Sequence, residues 1–293
     1  MKPSRFKYIA PDCPEAVVAT LVEYDGDSRC LSGGQSLIPL MNFRLVAPAA
    51  LIDLNRCPDL AYIRYEGSEI AVGAMARQAG VEFSDVVAQA CPLIAKAMPF
   101  LGSPAIRNRG TIGGTLAHAD RTAELPAVSI ALGATMIAFG PDGARPIAAE
   151  DFFIGDLTTS LEPFEMLREV RFPVSPAGSR CAFVEATNRH HDLALAGIAL
   201  LLVPSDDGVI QSASIVCHGI GPHPVRLAAA EAALVNTRGE AEALRHAASL
   251  ANEGLEPEDD NQASADYRSR VVPGLVARAL NDAMAGSGAV GSV

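Results

Sequence analysis

The chain has 293 residues, of which 49% are hydrophobic and 19% are charged, as in folded proteins that bury a large core. This length predicts two or three domains. The net charge of −11 disfavours nucleic acid or an anionic membrane surface as a partner, because either would repel the protein. The N-terminus lacks the apolar core of a signal peptide, and the longest apolar run, 193–203, is too short to span a bilayer. We therefore expect a cytoplasmic protein.

The first 172 residues alternate short helical and strand patterns, with hairpins at two Gly-containing turns. The predicted elements are helix 14–24, strand 29–32, helix 36–43, strand 51–54, a hairpin of 61–65 and 69–75, a helical region 77–101 broken at Cys91-Pro92, an amphipathic helix 122–132, a hairpin of 135–139 and 144–148, and strand 166–172.

A Pro/Gly/Ser-rich segment at 173–179 predicts a domain boundary. Strands at 181–187, 193–203 and 209–217 then form a meander, followed by helices at 225–237, 240–252 and 264–284. The last helix contains Pro273, so we expect it to kink or split there. Strands followed by helices in blocks predict an α+β fold rather than a doubly wound sheet. The acidic segment 253–260 reads as a solvated loop and 286–293 as a frayed tail.

Two glycine-containing loops hold the strongest functional signal. The first glycine loop is 31–37 (LSGGQSL) and the second is 111–120 (TIGGTLAHAD). Paired glycines allow φ > 0 and expose successive N–H groups as an anion-binding nest, with hydroxyl and amide side chains beside them. Two such nests could hold one pyrophosphate from both sides. Two ordinary tight turns remain the alternative, and neither loop has the pattern of a Rossmann fingerprint or a P-loop.

Metal and nucleophilic chemistry find little support in the sequence. The six cysteines form no C-x-x-C pair, and the histidines, including the adjacent His190 and His191, form no H-E-x-x-H. We therefore expect no metal site and no catalytic acid, base or nucleophile on this chain.

Three segments closely resemble the FAD-binding medium subunit of molybdenum hydroxylases, the group of carbon monoxide dehydrogenase and the xanthine dehydrogenase relatives. They are 32–41 (SGGQSLIPLM), 107–120 (RNRGTIGGTLAHAD) and 123–127 (AELPA), and 263–268 (ASADYR) resembles the same family's C-terminal domain. The resemblance implies a vanillyl-alcohol-oxidase (PCMH) type fold for 1–175, with FAD between two subdomains of about 1–56 and 57–175. A C-terminal α+β domain of antiparallel sheet and helices would follow at 176–285, with a flexible tail at 286–293.

The resemblance also implies which residues bind FAD, since both glycine loops contact the diphosphate in this family. Glu124 falls where relatives place a carboxylate at the ribose or adenine end, although it could instead stabilise its own helix. His118 could lie near the flavin or be a structural residue. The implied cofactor residues are Cys30, Leu31, Ser32, Gly33, Gly34, Gln35, Ser36, Leu37, Leu101, Thr111, Ile112, Gly113, Gly114, Thr115, His118, Glu124 and Leu167.

Some positions depart from the family pattern or remain ambiguous. Val184 stands where some relatives have a lysine near the flavin ring, and Arg121 stands where many have proline. Arg107 and Arg109 could neutralise phosphate, face a partner subunit or form surface ion pairs.

The implied function is electron transfer. FAD would take electrons from [2Fe-2S] clusters on a small subunit, which receive them from a molybdenum cofactor on a large subunit, and pass them to an external acceptor. The expected assembly is a heterotrimer or a pair of heterotrimers. The alternatives are a self-sufficient FAD-dependent oxidase of a small organic substrate and a non-redox nucleotide-binding subunit. We also expect that a β-branched residue at Gly33 or Gly114 abolishes FAD binding through loss of φ > 0.

Overall fold

A small parallel sheet forms the beginning of the chain. The computed structural model describes residues 2–189 and 191–286, so His190 and all but the first residue of the tail predicted at 286–293 lie outside the described residues. The sheet has the order β1-β3-β2, with both outer strands parallel to β3. Its elements are β1 (Lys7–Ile9), α1 (Pro14–Glu23), β2 (Ser28–Leu31), α2 (Leu37–Asn42) and β3 (Ala50–Asp53). The buried side of α1 packs with β3 in one core cluster.

A five-stranded antiparallel sheet follows, in the order β4-β5-β10-β6-β7. The last of these strands in the sequence, β10, lies in the middle and joins the two hairpins that the sequence predicts. The strands are β4 (Ile63–Tyr65), β5 (Glu69–Gly73), β6 (Thr135–Gly140), β7 (Gly143–Ala148) and β10 (Met166–Pro173); beside them lie α9 (Ala149–Phe152) and a hairpin of β8 (Phe153–Gly155) and β9 (Thr158–Thr159).

Six short helices connect the two hairpins of this sheet. They are α3 (Gln78–Glu82), α4 (Asp85–Ala90), α5 (Pro92–Ala97), α6 (Pro104–Arg109), α7 (Ile112–His118) and α8 (Glu124–Ala131). The predicted helical region breaks at Cys91-Pro92 as expected, and also before α4, where the Ser84 hydroxyl caps the new helix. The helix predicted at 122–132 is present as α8, but the prediction that it is amphipathic is wrong, because all eight of its residues are buried. Core packing surrounds this helix on all sides.

The C-terminal region is a four-stranded antiparallel meander backed by helices. Its strands are β11 (Arg180–Thr187), β12 (Ala194–Pro204), β13 (Ile210–His218) and β14 (Val225–Arg226), and its helices are α10 (Ala228–Ala232), α11 (Ala241–Ser249) and α12 (Ala265–Met284). The helix predicted to begin at residue 225 begins at Ala228, because 225–226 pair with β13 as a strand. The long helix α12 continues through Pro273 without splitting. The α+β prediction is confirmed.

The sheet of the C-terminal region is covered on both faces. Phe183 and Cys181 of β11 belong to a core shared with α5 and α8, whereas Ala182 and Val184 belong to a core shared with the C-terminal helices. Nine consecutive residues of β12, from Ala194 to Leu202, are buried. Among residues 2–189 and 191–286, no helix is both long and apolar enough to cross a membrane.

The acidic segment 253–260 is a mostly exposed loop, as the sequence predicts, and its end is also held by ion pairs. Arg121 donates to Glu258 Oε2 at 2.7 Å and to Asp260 Oδ2 at 3.2 Å, and the fully buried Arg268 donates to Asp260 at 2.8 Å. Burial tends to raise the pKa of Asp260, but hydrogen bonds from Ala263 and Arg268 outweigh it and hold that pKa at about 2. Arg121, noted as a departure from the family pattern, thus ties the N-terminal region to the C-terminal region.

Candidate functional site

The first glycine loop presents a row of unengaged backbone donors. It begins at the end of β2 and leads into α2, and only Gly34 of its two glycines has a positive φ, at +71°. Within the described residues, no group accepts a hydrogen bond from the backbone N–H groups of 33–37. The Gln35 side-chain amide donates to Gly33 O at 2.9 Å, and Asn55 donates to Ser32 O at 3.0 Å. The loop therefore fits an anion such as a diphosphate.

The second glycine loop directs its backbone donors inward, so the prediction of a second nest is wrong. The N–H groups of Ile112 and Gly113 donate to Ala76 O and Ala74 O, each at 3.0 Å. The N–H of Gly114 donates to the Thr111 hydroxyl at 3.0 Å, which caps α7. Neither Gly113 nor Gly114 has a positive φ. This segment is the first turn of a helix, and only its side-chain hydroxyls remain to serve a ligand.

Close packing requires a glycine at one position of the first loop and at both positions of the second. A Cβ on Gly33 would lie 2.8 Å from Gly110 Cα and closer still to Arg109 O. A Cβ on Gly114 would lie 2.7 Å from the Ser32 hydroxyl, so the two glycine loops contact each other directly. The positive-φ explanation for Gly33 and Gly114 is therefore wrong, and absence of a side chain at the contact replaces it.

Three polar side chains that the sequence analysis missed connect these loops. Arg77 donates to Arg109 O and, at 2.6 Å, to Asn55 Oδ1. Gln78 Nε2 donates to Thr115 Oγ1 at 2.7 Å, and its backbone N–H donates to Gly110 O at 3.0 Å. Beside them opens a cavity of about 430 Å³, lined in part by Asn55 and Arg77. No motif marks these residues, because they come from separate elements.

Several predicted cofactor residues are core side chains. Leu101 and Leu167 are each 4% exposed and, with Ile112, belong to the main core cluster. Any ligand contact at these positions therefore has to involve backbone or a small edge of the side chain. Gln35 and Ser36 are exposed, and the remaining loop residues are buried or half-buried: Cys30, Leu31, Ser32, Gly33, Gly34, Leu37, Thr111, Gly113, Gly114, Thr115 and His118.

The role of Arg107 is settled by its partners. It is 5% exposed and donates to both carboxylate oxygens of Glu82, at 2.7 and 3.0 Å, and to the carbonyls of Leu101 and Gly102. This is a buried ion pair, and none of the predicted alternatives for Arg107 describes it. The Arg109 side chain is exposed, while its carbonyl accepts from Arg77.

Glu124 is buried at the start of α8. Burial raises its pKa to about 7, the charge of Asp120 adds to this, and Arg107 opposes it. Among residues 2–189 and 191–286, no group of three His, Cys, Asp or Glu side chains could hold a metal ion.

Val184 cannot face a ligand in the N-terminal region. It is 3% exposed and packs in the core beneath the C-terminal helices. Its neighbour Glu185 points to the opposite face of β11, toward the N-terminal region, because side chains alternate along a strand. The sequence alone does not show which face of β11 each side chain takes, so the sequence analysis named Val184 and did not consider Glu185.

Two family models match almost the whole chain. Residues 4–175 match the FAD binding domain in molybdopterin dehydrogenase, and residues 181–283 match the CO dehydrogenase flavoprotein C-terminal domain.

Individual relatives match over nearly their full length. The chain is similar to the 6-hydroxypseudooxynicotine dehydrogenase complex subunit alpha of Paenarthrobacter nicotinovorans, at 38% identity over 97% of this chain and 96% of that one. It is similar to the carbon monoxide dehydrogenase medium chain of Hydrogenophaga pseudoflava, at 36% identity over 97% and 99%. A solved structure of that organism's carbon monoxide dehydrogenase, lacking the Mo-pyranopterin moiety, superimposes with a TM-score of 0.94, 38% identity and coverage of 97% and 99%.

Proposed function

The chain belongs to the family of FAD-binding medium subunits of molybdenum hydroxylases, and we propose that it carries electrons from iron–sulfur clusters of a partner subunit, through FAD, to an external acceptor. The family makes it an oxidoreductase flavoprotein subunit. The resemblance of 32–41, 107–120 and 123–127 is thereby confirmed. The path of the electrons is the part that we propose.

The row of free N–H groups at 33–37 is the observation on which the proposal rests most. These neutral donors suit a diphosphate even on a chain of net charge −11, because the attraction comes from backbone dipoles. The Thr115 hydroxyl already accepts a hydrogen bond from Gln78, so its own proton is available to a phosphate oxygen. FAD would supply the redox chemistry, since it collects electrons singly and releases them singly or in pairs. The chain would bind, orient and shield it.

We place the FAD contacts at the seventeen residues implied by the resemblance, with one change in their roles. The first glycine loop holds the diphosphate through backbone N–H groups, and the second through the hydroxyls of Thr111 and Thr115. We also place the domain division near residue 175, with 1–175 binding FAD and 176–285 forming the C-terminal domain. The limits of the two matching family models, 4–175 and 181–283, support this division.

The proposed partners are a small [2Fe-2S] subunit and a large molybdopterin subunit, in a heterotrimer or a pair of heterotrimers. This follows from relatives whose names make them a medium chain or one subunit of a dehydrogenase complex. The substrate pocket would lie on the large subunit, so this chain does not define the substrate of its complex.

Affinity purification of the tagged chain from its native host tests the proposal, with an untagged strain as control. We expect the purified chain to show flavin absorbance and to co-purify with an iron–sulfur chain and a large molybdenum-containing chain. Rapid mixing of that complex with substrate should reduce the iron–sulfur centres before the flavin. Flavin without partners, with turnover of a small substrate by the chain alone, would instead indicate the self-sufficient oxidase. Purification without flavin would refute the FAD site.

A further inference from the structure

Gln78 is a buried polar side chain next to the second glycine loop. It is 5% exposed and begins α3, and its backbone N–H donates to Gly110 O at 3.0 Å. The preceding residue, Arg77, forms an isolated antiparallel bridge with Thr111. The main chain at 77–78 is therefore fixed against the start of the second glycine loop, which gives the Gln78 side chain a defined position.

Gly110 provides the space that the Gln78 amide occupies. A Cβ on Gly110 would lie 2.8 Å from Gln78 Cδ and closer still to Oε1. The φ of Gly110 is −57°, so its backbone conformation does not require glycine. The absence of a side chain at Gly110 therefore serves the placement of Gln78.

The Gln78 amide contacts one hydroxyl of the second glycine loop. Its Nε2 donates to Thr115 Oγ1 at 2.7 Å. Threonines in helices often donate to the carbonyl four residues earlier, but within the described residues no group accepts the proton of the Thr115 hydroxyl. Thr115 is only half-buried, whereas Gln78 is buried. The hydroxyl oxygen is therefore engaged from the interior, and its proton is free for a group outside the loop.

The direction of this hydrogen bond decides whether Thr115 can serve a ligand. In the opposite orientation of the amide, Gln78 Oε1 would accept the Thr115 proton, and no donor would remain for a ligand. Either orientation leaves one amide atom against Gly110, where Oε1 is buried without a partner in the described part of the chain. An anion outside the loop favours the donating orientation, because hydrogen bonds in a chain polarise and strengthen one another.

We propose that Gln78 is a positioning residue of the FAD site, which directs the proton of the Thr115 hydroxyl toward the diphosphate. The inference rests on the proposed function, because the diphosphate is the acceptor of that proton. Gln78 acts through Thr115 and is not itself a ligand of the cofactor. Because its side chain carries no charge, it contributes the direction of a donor and leaves the charge around the diphosphate unchanged.

A double-mutant cycle on FAD affinity tests whether Gln78 acts through Thr115. Gln78→Met keeps the length of the side chain and removes the donor, and it should raise the dissociation constant for FAD by about 2- to 10-fold. Thr115→Val removes the hydroxyl and should raise that constant by about 10- to 100-fold, as for a hydrogen bond to a charged group. In the Thr115→Val background, Gln78→Met should have no further effect. In Thr115→Ser, which keeps the hydroxyl, the effect of Gln78→Met should return.

The full chain without cofactor is titrated with FAD, and its thermal unfolding is measured in parallel. Gln89→Met, at an exposed position of α4, is the matched control and should leave FAD affinity unchanged. If Gln78→Met fails to fold, Gln78→Leu takes its place in the cycle. Equal effects of the Gln78 variant in the native and Thr115→Val backgrounds would overturn the proposal, because they would indicate a packing role alone. Native FAD affinity in Thr115→Val or in the Gln78 variant would overturn it too.

Phosphorus NMR of the FAD-loaded chain gives an independent measurement of the same contact. The two phosphates of bound FAD give separate resonances, and the Gln78 variant and Thr115→Val should shift the same one of them. Shifts of different resonances, or an unchanged spectrum in the Gln78 variant, would contradict the proposal. A native chain that binds no FAD would instead contradict the proposed function, so the two failures are distinguishable.

Discussion

Gly33→Ala tests whether close contact between the first glycine loop and residues 109–110, directly before the second glycine loop, holds the cofactor site together. The added Cβ would lie 2.8 Å from Gly110 Cα, whereas ordinary contact begins at 3.4 Å. The two backbones must therefore separate by at least about 0.6 Å, and by more at Arg109 O, which the Cβ would approach more closely. Both are held in place, Arg109 O by Arg77 and Gly110 O by Gln78. We expect a cost of about 1–3 kcal/mol, as for overpacked cores.

That cost should appear mainly in FAD binding, because the separation displaces the N–H groups at 33–37. If all of it falls on binding, the dissociation constant rises by roughly 5- to 150-fold. Titration of the apoprotein with FAD, followed by flavin fluorescence, measures this change. Thermal unfolding of the apoprotein shows how much of the cost falls on stability instead.

Two other glycines serve as controls for the loop contact. Gly80→Ala, in α3, meets no atom within 4 Å and has no positive φ, so it should leave FAD binding unchanged and stabilise the helix slightly. Gly34 has a φ of +71°, and a Cβ there would meet only side-chain atoms of Ile38 and Leu31, at 3.1 Å. Any effect of Gly34→Ala on FAD binding would therefore come from backbone strain and not from contact with residues 109–110. Native FAD affinity in Gly33→Ala would refute the reasoning.

Two further predictions concern the contact between the N-terminal and C-terminal regions and the pH dependence of stability. Arg121→Ala removes the hydrogen bonds to Glu258 and Asp260 and should lower the free energy of unfolding by about 1.5–3 kcal/mol in urea denaturation. Arg189→Ala is the control, because that side chain is 86% exposed. An equal loss of stability in Arg189→Ala would contradict this reasoning. Burial raises the pKa of Glu185 from 4.5 to about 8, so the folded chain keeps a proton that the unfolded chain has lost. Stability should therefore fall as the pH rises through that window, and Glu185→Gln should reduce the slope; an unchanged slope would show that Glu185 is not the titrating group.

The order of elements could be predicted because its signals are local. The hairpins, the C-terminal meander and the strand that ends at Pro173 follow from alternation and turn residues within short windows. By contrast, α8 packs against other elements on every side, and the sequence of the helix does not reveal how many elements surround it. The position of Arg77, Gln78 and Asn55 beside the loops depends on long-range packing in the same way.

The direction of side chains on β11 shows how sensitive a site prediction is to register. Val184 was noted as standing where some relatives have a lysine near the flavin ring, yet it faces the C-terminal helices, and Glu185 faces the N-terminal region. A shift of one residue along a strand exchanges the two faces. Sequence resemblance locates the strand but does not determine the register to the single residue.

The burial of β12 on both faces has a consequence for biosynthesis. One face of the sheet is covered by helices of the C-terminal region, which are made after it, and the other by α5 and α8, which are made before it. During translation the N-terminal region emerges first, and the apolar surface around α8 stays exposed until the C-terminal sheet has been made. The C-terminal region produced by itself would expose the side chains of Cys181, Phe183, Ala199, Leu201 and Val216 to solvent. The two regions are therefore best encoded in one gene. A fragment cut within 173–179 should aggregate unless a chaperone or the other fragment is present.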